Sequence, residues 1–398
     1  NMRLAQRAQG IGASPTLAMN ARAKEMKKQG IDVLSFTVGE PDFNTPAPIA
    51  EAGIAAIREG FTRYTPAAGI PELKEAICAK LKRDNGLEYA PGDVVVANGA
   101  KHAIYNALQA LIDEGDEVII PAPYWVSYTE MVKLNGGVPV IVPTRAENGF
   151  KLTPSDLKAA LTQRTRAIFI NSPNNPTGAV YSRRELEELV QILVPRDVVI
   201  ISDEVYEKLL YDGATFTSVA ALGPEVKDLT VTINGVSKTY AMTGWRIGYA
   251  AAPRALAQAM ANIQSHATSN PNSIAQKAAV AALTGSQEPV QQMLAEFARR
   301  RQRMVNGINA LPGLSCGTPE GAFYVFADVA SLFGRTLRGQ KITGSVSLAE
   351  LFLAEAHVAV VPGAAFGDDR YVRFSYATSL ATIDEGLARL HAVLSEVR

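Results

Sequence analysis

The sequence predicts an α/β fold of three layers, with a mostly parallel sheet between helices, together with a smaller α+β domain. Short apolar runs alternate with helical patterns through the middle of the chain, from about residue 93 to residue 233. These runs are almost entirely apolar instead of alternating, which is typical of strands that are buried on both faces. The chain also has 398 residues, more than a single small core usually holds.

Six apolar runs are the predicted strands of this sheet. They are, in chain order, Asp93–Ala97, Glu117–Pro121, Val138–Val142, Arg166–Asn171, Val198–Ser202 and Leu229–Ile233. Helical spacing follows the first run over Lys101–Ile112. After the fourth run, a helix is expected to open at Ser182, with Glu185 three residues later completing a capping box.

The C-terminal third has a different pattern, which predicts the smaller α+β domain. Gln291–Ile308 has the spacing of one long amphipathic helix, and Ala322–Ala327 and Tyr371–Tyr376 read as strands. The last helix is expected to begin near Thr382, with Glu385 completing a second capping box. The weakly periodic N-terminal segment is expected to form an arm and a helix that join this small domain. The predicted units are therefore residues 1–45, 46–290 (the large domain) and 291–398.

Composition argues against several classes of protein. Lys plus Arg and Asp plus Glu both number 39, so the formal net charge is zero and no nucleic-acid partner is expected. No apolar run approaches the roughly 20 residues that span a bilayer, so no membrane partner is expected. Cys78 and Cys316 lie far apart, and the four histidines lack the spacing of metal ligands. Neither a disulfide framework nor a metal site is expected, and a reducing cytoplasm is the predicted compartment.

Polar residues follow the predicted strands where each strand ends. Asn171 ends one run and Asp203 follows another, while Gly99–Lys101 and Lys238 come shortly after two more. In open α/β sheets, ligands bind outside the carboxyl ends of the strands. An amide, a carboxylate, a glycine-led helix start and a lysine are therefore expected to face one crevice.

These groups match the requirements of pyridoxal 5'-phosphate (PLP). A lysine must form an imine with the cofactor's aldehyde, and a carboxylate must keep the pyridine nitrogen protonated. A helix N-terminus can bind the phosphate. The amine could come from Lys238, the carboxylate from Asp203 and the helix N-terminus from Gly99–Lys101. The ring oxygen could accept hydrogen bonds from Asn175 and Tyr206. Taken alone, such a lysine is more often a solvated surface residue and such an aspartate a helix cap, so the prediction depends on their joint placement.

Three motifs carry a resemblance to a known family. They are Ser172–Gly178 (SPNNPTG), Ser202–Tyr206 (SDEVY) and Ser237–Tyr249 (SKTYAMTGWRIGY). The sequence resembles the class I aminotransferases, which are fold type I PLP enzymes, and is most similar to the bacterial aspartate aminotransferase subgroup. The similarity continues in order along nearly the whole chain, through Gly39–Phe43, Tyr64–Leu73, Pro123–Tyr128, Gly321–Val325 and Val372–Ala377.

The resemblance implies roles for the residues around the cofactor ring. Lys238 carries the cofactor and then moves the proton during catalysis, while Asp203 pairs with the pyridine nitrogen. Tyr206 and Asn175 hydrogen-bond the ring oxygen, and Trp125 stacks on the ring. By the same resemblance, Lys238, Asp203 and Tyr206 are the catalytic residues.

The resemblance also implies a phosphate site and a dimer. Ala100, Lys101, Ser237 and Arg246 are expected to surround the phosphate. Tyr64 is expected to reach the phosphate that the partner subunit binds. A homodimer with shared active sites follows from that placement.

Substrate recognition is implied by a third group of residues. Arg373 is expected to bind the substrate α-carboxylate as a bidentate fork, with Asn175, Trp125 and the Gly39 backbone assisting. Lys101 is implicated in binding a second carboxylate. The chain reads Gly12-Ala13-Ser14 where many relatives have Lys-Pro-Ser, and this departure bears on dicarboxylate preference.

The expected reaction is ping-pong transamination between an amino acid, with L-aspartate as first choice, and a 2-oxo acid such as 2-oxoglutarate. Prephenate or an aromatic amino acid is the alternative substrate. A PLP-dependent β-lyase would share the same central residues, so the motifs leave that activity open. A non-catalytic sensor is disfavoured, because no basic recognition helix precedes the aminotransferase-like region.

Overall fold

The computed structural model describes all residues from 1 to 398, and its largest element is a seven-stranded sheet. The strands of the protein are, in chain order, β1 Leu34–Ser35, β2 Val94–Ala97, β3 Glu117–Ala122, β4 Val138–Pro143, β5 Thr165–Asn171, β6 Val199–Asp203, β7 Thr230–Gly235, β8 Gly248–Ala251, β9 Tyr324–Asp328, β10 Thr336–Leu337, β11 Gln340–Lys341, β12 Val358–Ala359, β13 Val361–Pro362 and β14 Tyr371–Ser375. All six predicted strands of the large sheet are present, with ends that differ by one or two residues.

Fourteen α-helices accompany these strands. They are α1 Gln6–Gln9, α2 Pro15–Lys28, α3 Ala47–Arg58, α4 Pro71–Asn85, α5 Ala100–Leu111, α6 Ser127–Leu134, α7 Pro154–Ala160, α8 Arg183–Leu193, α9 Pro224–Lys227, α10 Arg254–Ala267, α11 Ser273–Thr284, α12 Glu288–Asn309, α13 Ser345–Leu351 and α14 Leu380–Leu394. None of them is both long enough and apolar enough to cross a bilayer.

The large sheet has the strand order β2-β8-β7-β6-β5-β3-β4. Every neighbouring pair is parallel except the two pairs that β8 forms with β2 and β7. The predicted mostly parallel sheet is therefore confirmed, but β8 was missed. Its four residues, Gly248–Ala251, include only one large side chain, so they give no apolar run that sequence patterning can detect.

Strand β5 shows why the sheet has a layer of helices on each face. From Ala167 to Ile170, alternate residues of this strand enter opposite apolar clusters, and all four are almost completely buried. Ala167 and Phe169 pack in the cluster that includes α5, α6 and α10. Ile168 and Ile170 pack in the cluster that includes α7 and α8. A continuous apolar run is the sequence pattern that this two-sided burial requires.

The start of α8 confirms the predicted capping box. The Ser182 hydroxyl accepts a hydrogen bond from the Glu185 amide at 3.1 Å, and the Glu185 carboxylate accepts one from the Ser182 amide at 2.9 Å. The two bonds satisfy amides that the first helical turn leaves without backbone partners. The helix then buries a stripe of apolar side chains against the sheet, formed by Leu186, Leu189, Val190 and Leu193.

The second predicted capping box, at the last helix, is wrong. Helix α14 begins at Leu380, and its N-cap is Ser379, whose hydroxyl accepts a hydrogen bond from the Thr382 amide at 3.1 Å. Thr382 is therefore the third helical residue and not the cap. Glu385 lies one turn further on and accepts a hydrogen bond from Arg389 at 3.1 Å.

The C-terminal region is built on a separate three-stranded antiparallel sheet with the order β13-β14-β9. Helices α12 and α14 bury apolar side chains on a cluster that includes β9 and β14. The N-terminal residues Met19, Ala23, Val33 and Phe36 belong to the same cluster, and β1 pairs in parallel with β12. The exact division at residues 1–45, 46–290 and 291–398 stays a prediction; α12 itself begins at Glu288.

Candidate active site

A cavity of about 540 Å³ opens at the carboxyl ends of β5 and β6, where Asn171 and Asp203 line it. Eleven of the residues predicted from sequence line this cavity: Gly39, Ala100, Lys101, Trp125, Asn175, Asp203, Tyr206, Ser237, Lys238, Arg246 and Arg373. Tyr64, the remaining predicted residue, does not line it, and 89% of its surface is exposed. The fold therefore places side chains from distant segments of the chain around one space.

Lys238 follows β7 and extends into the cavity, so its side chain is only partly covered by protein. Its Nζ donates a hydrogen bond to the Gly39 carbonyl and lies 5.8 Å from the centroid of the Tyr206 ring. No carboxylate forms an ion pair with it. Burial lowers the pKa of Lys238 to about 8; the carboxylate of Glu40 opposes this effect, and nearby Arg373 and Arg246 add to it. This amine can therefore lose its proton near neutral pH, as imine formation and proton transfer both require.

Asp203 is the last residue of β6, and only 4% of its surface is exposed. The Tyr128 hydroxyl donates a 2.5 Å hydrogen bond to Oδ2, and the Val205 amide donates a longer bond to Oδ1 at 3.4 Å. Burial raises the pKa of Asp203, and the bond from Tyr128 opposes that rise. No Lys or Arg forms an ion pair with this carboxylate. It is therefore a buried acceptor that a protonated ring nitrogen would suit.

Tyr128 is buried in the core and also makes a specific contact with Asp203. Its ring stacks on Phe169 with centroids 4.2 Å apart, and it is only 2% exposed. Burial and the adjacent Asp203 raise the pKa of Tyr128 well above its ordinary value, so its hydroxyl keeps its proton and acts as a donor. The residue lies inside the motif Pro123–Tyr128, but nothing in the sequence indicates a contact with a residue 75 positions away.

Tyr206 is buried on the same side of the cavity. Its hydroxyl forms a 2.7 Å hydrogen bond with the hydroxyl of Tyr324, a residue that the sequence analysis did not single out. Asn175 is held by its own amide, which donates to Asn171 Oδ1 at 2.9 Å. Its side-chain oxygen accepts from Arg373, which leaves its NH₂ group as the free donor. Tyr206 and Asn175 thus present hydroxyl and amide donors to the cavity, as the ring-oxygen role requires.

Arg373 lies in the middle of β14, and only 2% of its surface is exposed. Its Nη1 donates to Asn175 Oδ1 and its Nη2 donates to the Thr37 carbonyl, both at 2.9 Å. The Nε atom is buried without a partner, and no Asp or Glu pairs with this guanidinium. Burial lowers the pKa of Arg373. A buried cation that meets only neutral acceptors is unusual, and it suits an anionic ligand such as a carboxylate.

Helix α5 provides an anion site on another wall of the cavity. It begins at Ala100 after Gly99, whose φ of +92° is in the region that favours glycine, and no side chain caps the helix. A Cβ on Gly99 would lie 2.1 Å from Nη2 of Arg246, so glycine is what allows the guanidinium to approach the helix start. Free helix amides beside an arginine form a site for phosphate.

The mouth of the cavity is lined by Lys101 and by the beginning of α2. The Lys101 ammonium lies 4.9 Å from the centroid of the Trp125 ring. Ser14 and Thr16 line the cavity, and the Ser14 hydroxyl caps α2 by accepting from the Leu17 amide. Gly12 does not line the cavity. Lys101 therefore places a cation beside the aromatic ring of Trp125 at the cavity wall.

These observations together test whether the site fits PLP. The cofactor has an aldehyde, a basic ring nitrogen and a phosphate. The cavity offers one amine with a lowered pKa at Lys238, one buried carboxylate without a cation at Asp203, and one uncapped helix start beside Arg246. Each group of the cofactor thus has a complementary group in the cavity, and the residues fit PLP.

The comparison with known proteins gives the family. Residues 31–390 match the family described as aminotransferase class I and II, which is most of the chain. The protein therefore belongs to the class I and II aminotransferases, and the resemblance seen in its motifs is confirmed. Aminotransferases of this fold generally depend on PLP.

Particular relatives are similar over their whole length. The chain is 51% identical over 390 residues to an aspartate aminotransferase from Geobacillus stearothermophilus, with 98% of both chains covered. It is 51% identical over 384 residues to an aspartate/prephenate aminotransferase from Cereibacter sphaeroides, with 96% of both covered. The solved structure of the aspartate aminotransferase from Rhizobium meliloti matches with a TM-score of 0.97 at 46% identity, covering 100% of both chains. The predicted fold class is confirmed.

Proposed function

We propose that this protein is a PLP-dependent aminotransferase that exchanges an amino group between L-aspartate and 2-oxoglutarate. One observation carries the proposal: Lys238, Asp203 and Arg373 line one cavity, and none of the three forms an ion pair. Lys238 supplies an amine that can lose its proton, Asp203 a buried anion and Arg373 a buried cation. Because none of them has a counter-ion in the protein, the cavity is complementary to a charged cofactor and a charged substrate. The direct test is the colour of the purified protein, which should show a cofactor band that borohydride reduction removes.

The reaction requires a base, and Lys238 is the group placed to be one. When bound, PLP supplies an electron-withdrawing ring that stabilises negative charge on the substrate's Cα. Lys238 would hold the cofactor, and its free amine would accept the proton from the substrate's Cα and then donate that proton as a general acid. A pKa of about 8 leaves a useful fraction of the amine unprotonated near neutral pH.

Asp203 and Tyr206 would contact two different atoms of the cofactor ring and so affect its electronic properties. The carboxylate of Asp203, held by the Tyr128 hydroxyl, would keep the ring nitrogen protonated and so keep the ring electron-withdrawing. Tyr206 and Asn175 would donate to the ring oxygen, while Trp125 would cover the ring face. Ala100, Lys101, Ser237 and Arg246 would hold the phosphate at the start of α5.

Arg373 would orient the substrate through its α-carboxylate. The guanidinium is already fixed by Asn175 and by the Thr37 carbonyl, so little side-chain freedom is lost when a carboxylate binds. The Gly39 backbone lies at the same wall of the cavity. A fixed carboxylate would hold the substrate's Cα in one position within the cavity that Lys238 also lines, and such positioning is a large part of catalysis.

Aspartate is proposed as the amino donor because the mouth offers a cation and hydroxyls for a second carboxylate. Lys101 lies beside Trp125, with Ser14 and Thr16 nearby on the cavity wall. The similar proteins from Geobacillus stearothermophilus and Rhizobium meliloti are named aspartate aminotransferases. The Cereibacter sphaeroides relative, named for aspartate and prephenate, makes prephenate the second candidate. Product formation from pairs of donors and oxo acids, including aspartate, prephenate and phenylalanine, distinguishes the two.

We further propose that the enzyme works as a homodimer in the cytoplasm. Tyr64 is 89% exposed although the resemblance gives it a role at a phosphate, and a second subunit would resolve that difference. Ile57, 56% exposed on α3, adds apolar surface for a partner. Both cysteines are free thiols, which suits a reducing compartment. Sedimentation of the purified protein tests the dimer.

A further inference from the structure

A second buried polar cluster adjoins the turn that carries Asp203 and Tyr206, and the proposed chemistry does not use it. We refer to it as the acid network; its members, each at most 9% exposed, are Lys80, Asn85, Ser202, Glu204, Glu207 and Ser218. None of these residues lines the active-site cavity. Buried charges are uncommon in proteins unless they are paired and hydrogen-bonded, so a cluster of this size calls for an explanation.

The acid network is connected from one end to the other. Lys80 donates to Glu207 and, at 2.6 Å, to the side-chain oxygen of Asn85. The Asn85 amide donates to Glu207 and to the Ser218 hydroxyl, both at 2.7 Å. Ser218 in turn donates to Glu204 at 2.7 Å, so one asparagine and one serine join the two carboxylates.

The network holds two carboxylates and one ammonium. Burial raises the pKa of Glu204 to about 7, with the nearby carboxylate of Glu207 as the second cause. The other titratable side chains near this carboxylate are phenols, Tyr89 and Tyr249, and burial raises the pKa of both, so they stay neutral. Near neutral pH Glu204 can therefore hold a proton, which leaves the Lys80–Glu207 pair balanced in charge.

The segment from Asp203 to Glu207 contributes side chains to both sites. Asp203, Val205 and Tyr206 line the cavity, while Glu204 and Glu207 enter the acid network. The backbone of this turn is tied by the Glu207 amide, which donates to the Glu204 carbonyl at 3.0 Å, and by the Glu204 amide, which donates to Ile233 on β7 at 2.9 Å. A movement of either glutamate side chain would therefore move the residues proposed to contact PLP.

We propose that Glu204 and Glu207 are positioning residues: their bonds to the acid network fix the turn from which Asp203 and Tyr206 meet the cofactor. This inference rests on the proposed PLP-dependent function. At metal sites, removal of the groups that hold the ligating residues in place changes metal affinity or activity by about 10- to 100-fold, and we expect an effect of similar size on the affinity for PLP here. A cofactor ring held by the carboxylate of Asp203 and the phenol of Tyr206 would be sensitive to such displacement, because hydrogen bonds weaken steeply as their distance and angle change.

The variants Glu207→Gln and Ser218→Ala test this inference. Glu207→Gln removes the counter-ion of Lys80, and Ser218→Ala removes the hydroxyl that links Asn85 to Glu204. The matched control is Glu88→Gln, which alters an exposed ion pair with Lys82. For each purified protein, the apoprotein is titrated with PLP, and the cofactor absorbance band is followed against pH.

Glu207→Gln is expected to raise the dissociation constant for PLP by at least about tenfold and to move the pH midpoint of the cofactor band. Ser218→Ala is expected to raise the dissociation constant for PLP by about threefold or more and to move the pH midpoint in the same direction. This variant provides the test if Glu207→Gln does not fold. The control should leave both unchanged. Variants that melt at a lower temperature but keep the wild-type dissociation constant and midpoint would overturn the inference. A wild-type protein that binds no PLP would instead refute the proposed function.

Glu204→Gln tests the proton that Glu204 is inferred to hold. The neutral amide imitates a protonated carboxyl, so PLP affinity and the absorbance of the cofactor band should match those of wild type below pH 7. Above that pH, wild-type Glu204 ionises while the variant does not, so their cofactor-band titrations should separate. Curves that coincide over the whole range, together with unchanged Ser218→Ala behaviour, would overturn the inference.

Discussion

The hydroxyl of Tyr128 donates a 2.5 Å hydrogen bond to Oδ2 of Asp203, at the floor of the cavity. The carboxylate has no cationic partner in the protein, so this phenol is the strongest donor that acts on it. The bond fixes the orientation of the carboxylate and stabilises its charged form. Tyr128 therefore supports the interaction proposed between Asp203 and the ring nitrogen.

The variant Tyr128→Phe removes this donor without changing the shape of the ring. A hydrogen bond to a charged group contributes about 1.5–3 kcal/mol, so the dissociation constant for PLP should rise by roughly 10- to 100-fold. The pKa of Asp203 should rise further, because the bond from Tyr128 lowers it. Titration of the apoprotein with PLP measures the effect. Tyr105→Phe, which alters a phenol bonded only to Gln109, is the control, and equal affinities in the two variants would contradict the role of Tyr128.

Lys238→Arg keeps a cation but cannot form an imine, and Lys238→Ala removes the group altogether. Both variants should lose turnover by more than about 10³-fold, because covalent bonding and proton transfer both depend on this amine. The borohydride-reducible band should disappear from both. The exposed substitution Lys24→Ala should have no effect. Near-normal turnover in Lys238→Ala would remove the basis of the proposed mechanism.

Arg373→Met should weaken substrate binding and stabilise the apoprotein. Removing a buried group that pairs with a substrate charge costs about 2–5 kcal/mol, which corresponds to a rise in KM of roughly 30-fold or more. The same change removes a buried cation that has no counter-ion, so the melting temperature of the apoprotein should increase. Steady-state kinetics and thermal unfolding measure the two effects. Arg370→Met, at an exposed arginine paired with Asp328, should leave KM unchanged, and an unchanged KM in Arg373→Met would exclude the carboxylate role.

The lowered pKa of Lys238 predicts a pH dependence of stability. Burial takes this pKa from 10.5 in the unfolded chain to about 8 in the apoprotein. Between these values the unfolded state binds more protons than the folded state, so the free energy of unfolding rises with pH across that window. Lys238→Met lacks this titration. Thermal unfolding of both apoproteins should show that wild type gains stability relative to Lys238→Met as the pH rises from 8 to 10.5. Melting temperatures of the two proteins that change in parallel with pH would contradict this prediction.

Tyr64 predicts complementation between inactive subunits. If each active site combines Lys238 of one subunit with Tyr64 of the other, a mixed dimer of Lys238→Ala and Tyr64→Ala subunits contains one intact site. Random reassortment of equal amounts should then restore about a quarter of wild-type activity. The measurement is activity after the two variants are unfolded and refolded together, compared with each refolded alone. Activity no greater than the sum of the two separate samples would exclude shared sites.

Much of the fold could be predicted because two-sided burial leaves a clear pattern in the sequence. The continuous apolar runs of β5 and β6 were recognised for that reason, as was the capping box of Ser182 and Glu185. Strand β8 could not be predicted, since its small residues gain their burial from neighbours on β2 and β7. The start of α14 was placed too late because Thr382 and Ser379 are both acceptable caps, and local sequence does not choose between them.

The site residues could be predicted where a motif names them, but their contacts could not. Lys238, Asp203 and Arg373 follow from motif positions together with the rule that ligands bind at strand ends. The bonds from Tyr128 to Asp203 and from Tyr206 to Tyr324 join residues 75 and 118 positions apart. Such contacts depend on how strands and helices are arranged in space. The acid network was missed for the same reason, since Lys80 and Glu207 lie 127 positions apart.

The two neutral partners of Arg373, Thr37 and Asn175, determine when the substrate-binding site is complete as the chain folds. Its guanidinium bonds reach across 336 positions to Thr37 and across 198 positions to Asn175, so the anion-binding fork is finished only when β14 has been added. A nascent chain that ends before this strand already contains the lysine and the phosphate loop, yet it cannot hold an amino acid. The carboxylate-binding fork is therefore a product of the complete tertiary fold, and no local segment of the chain can form it alone.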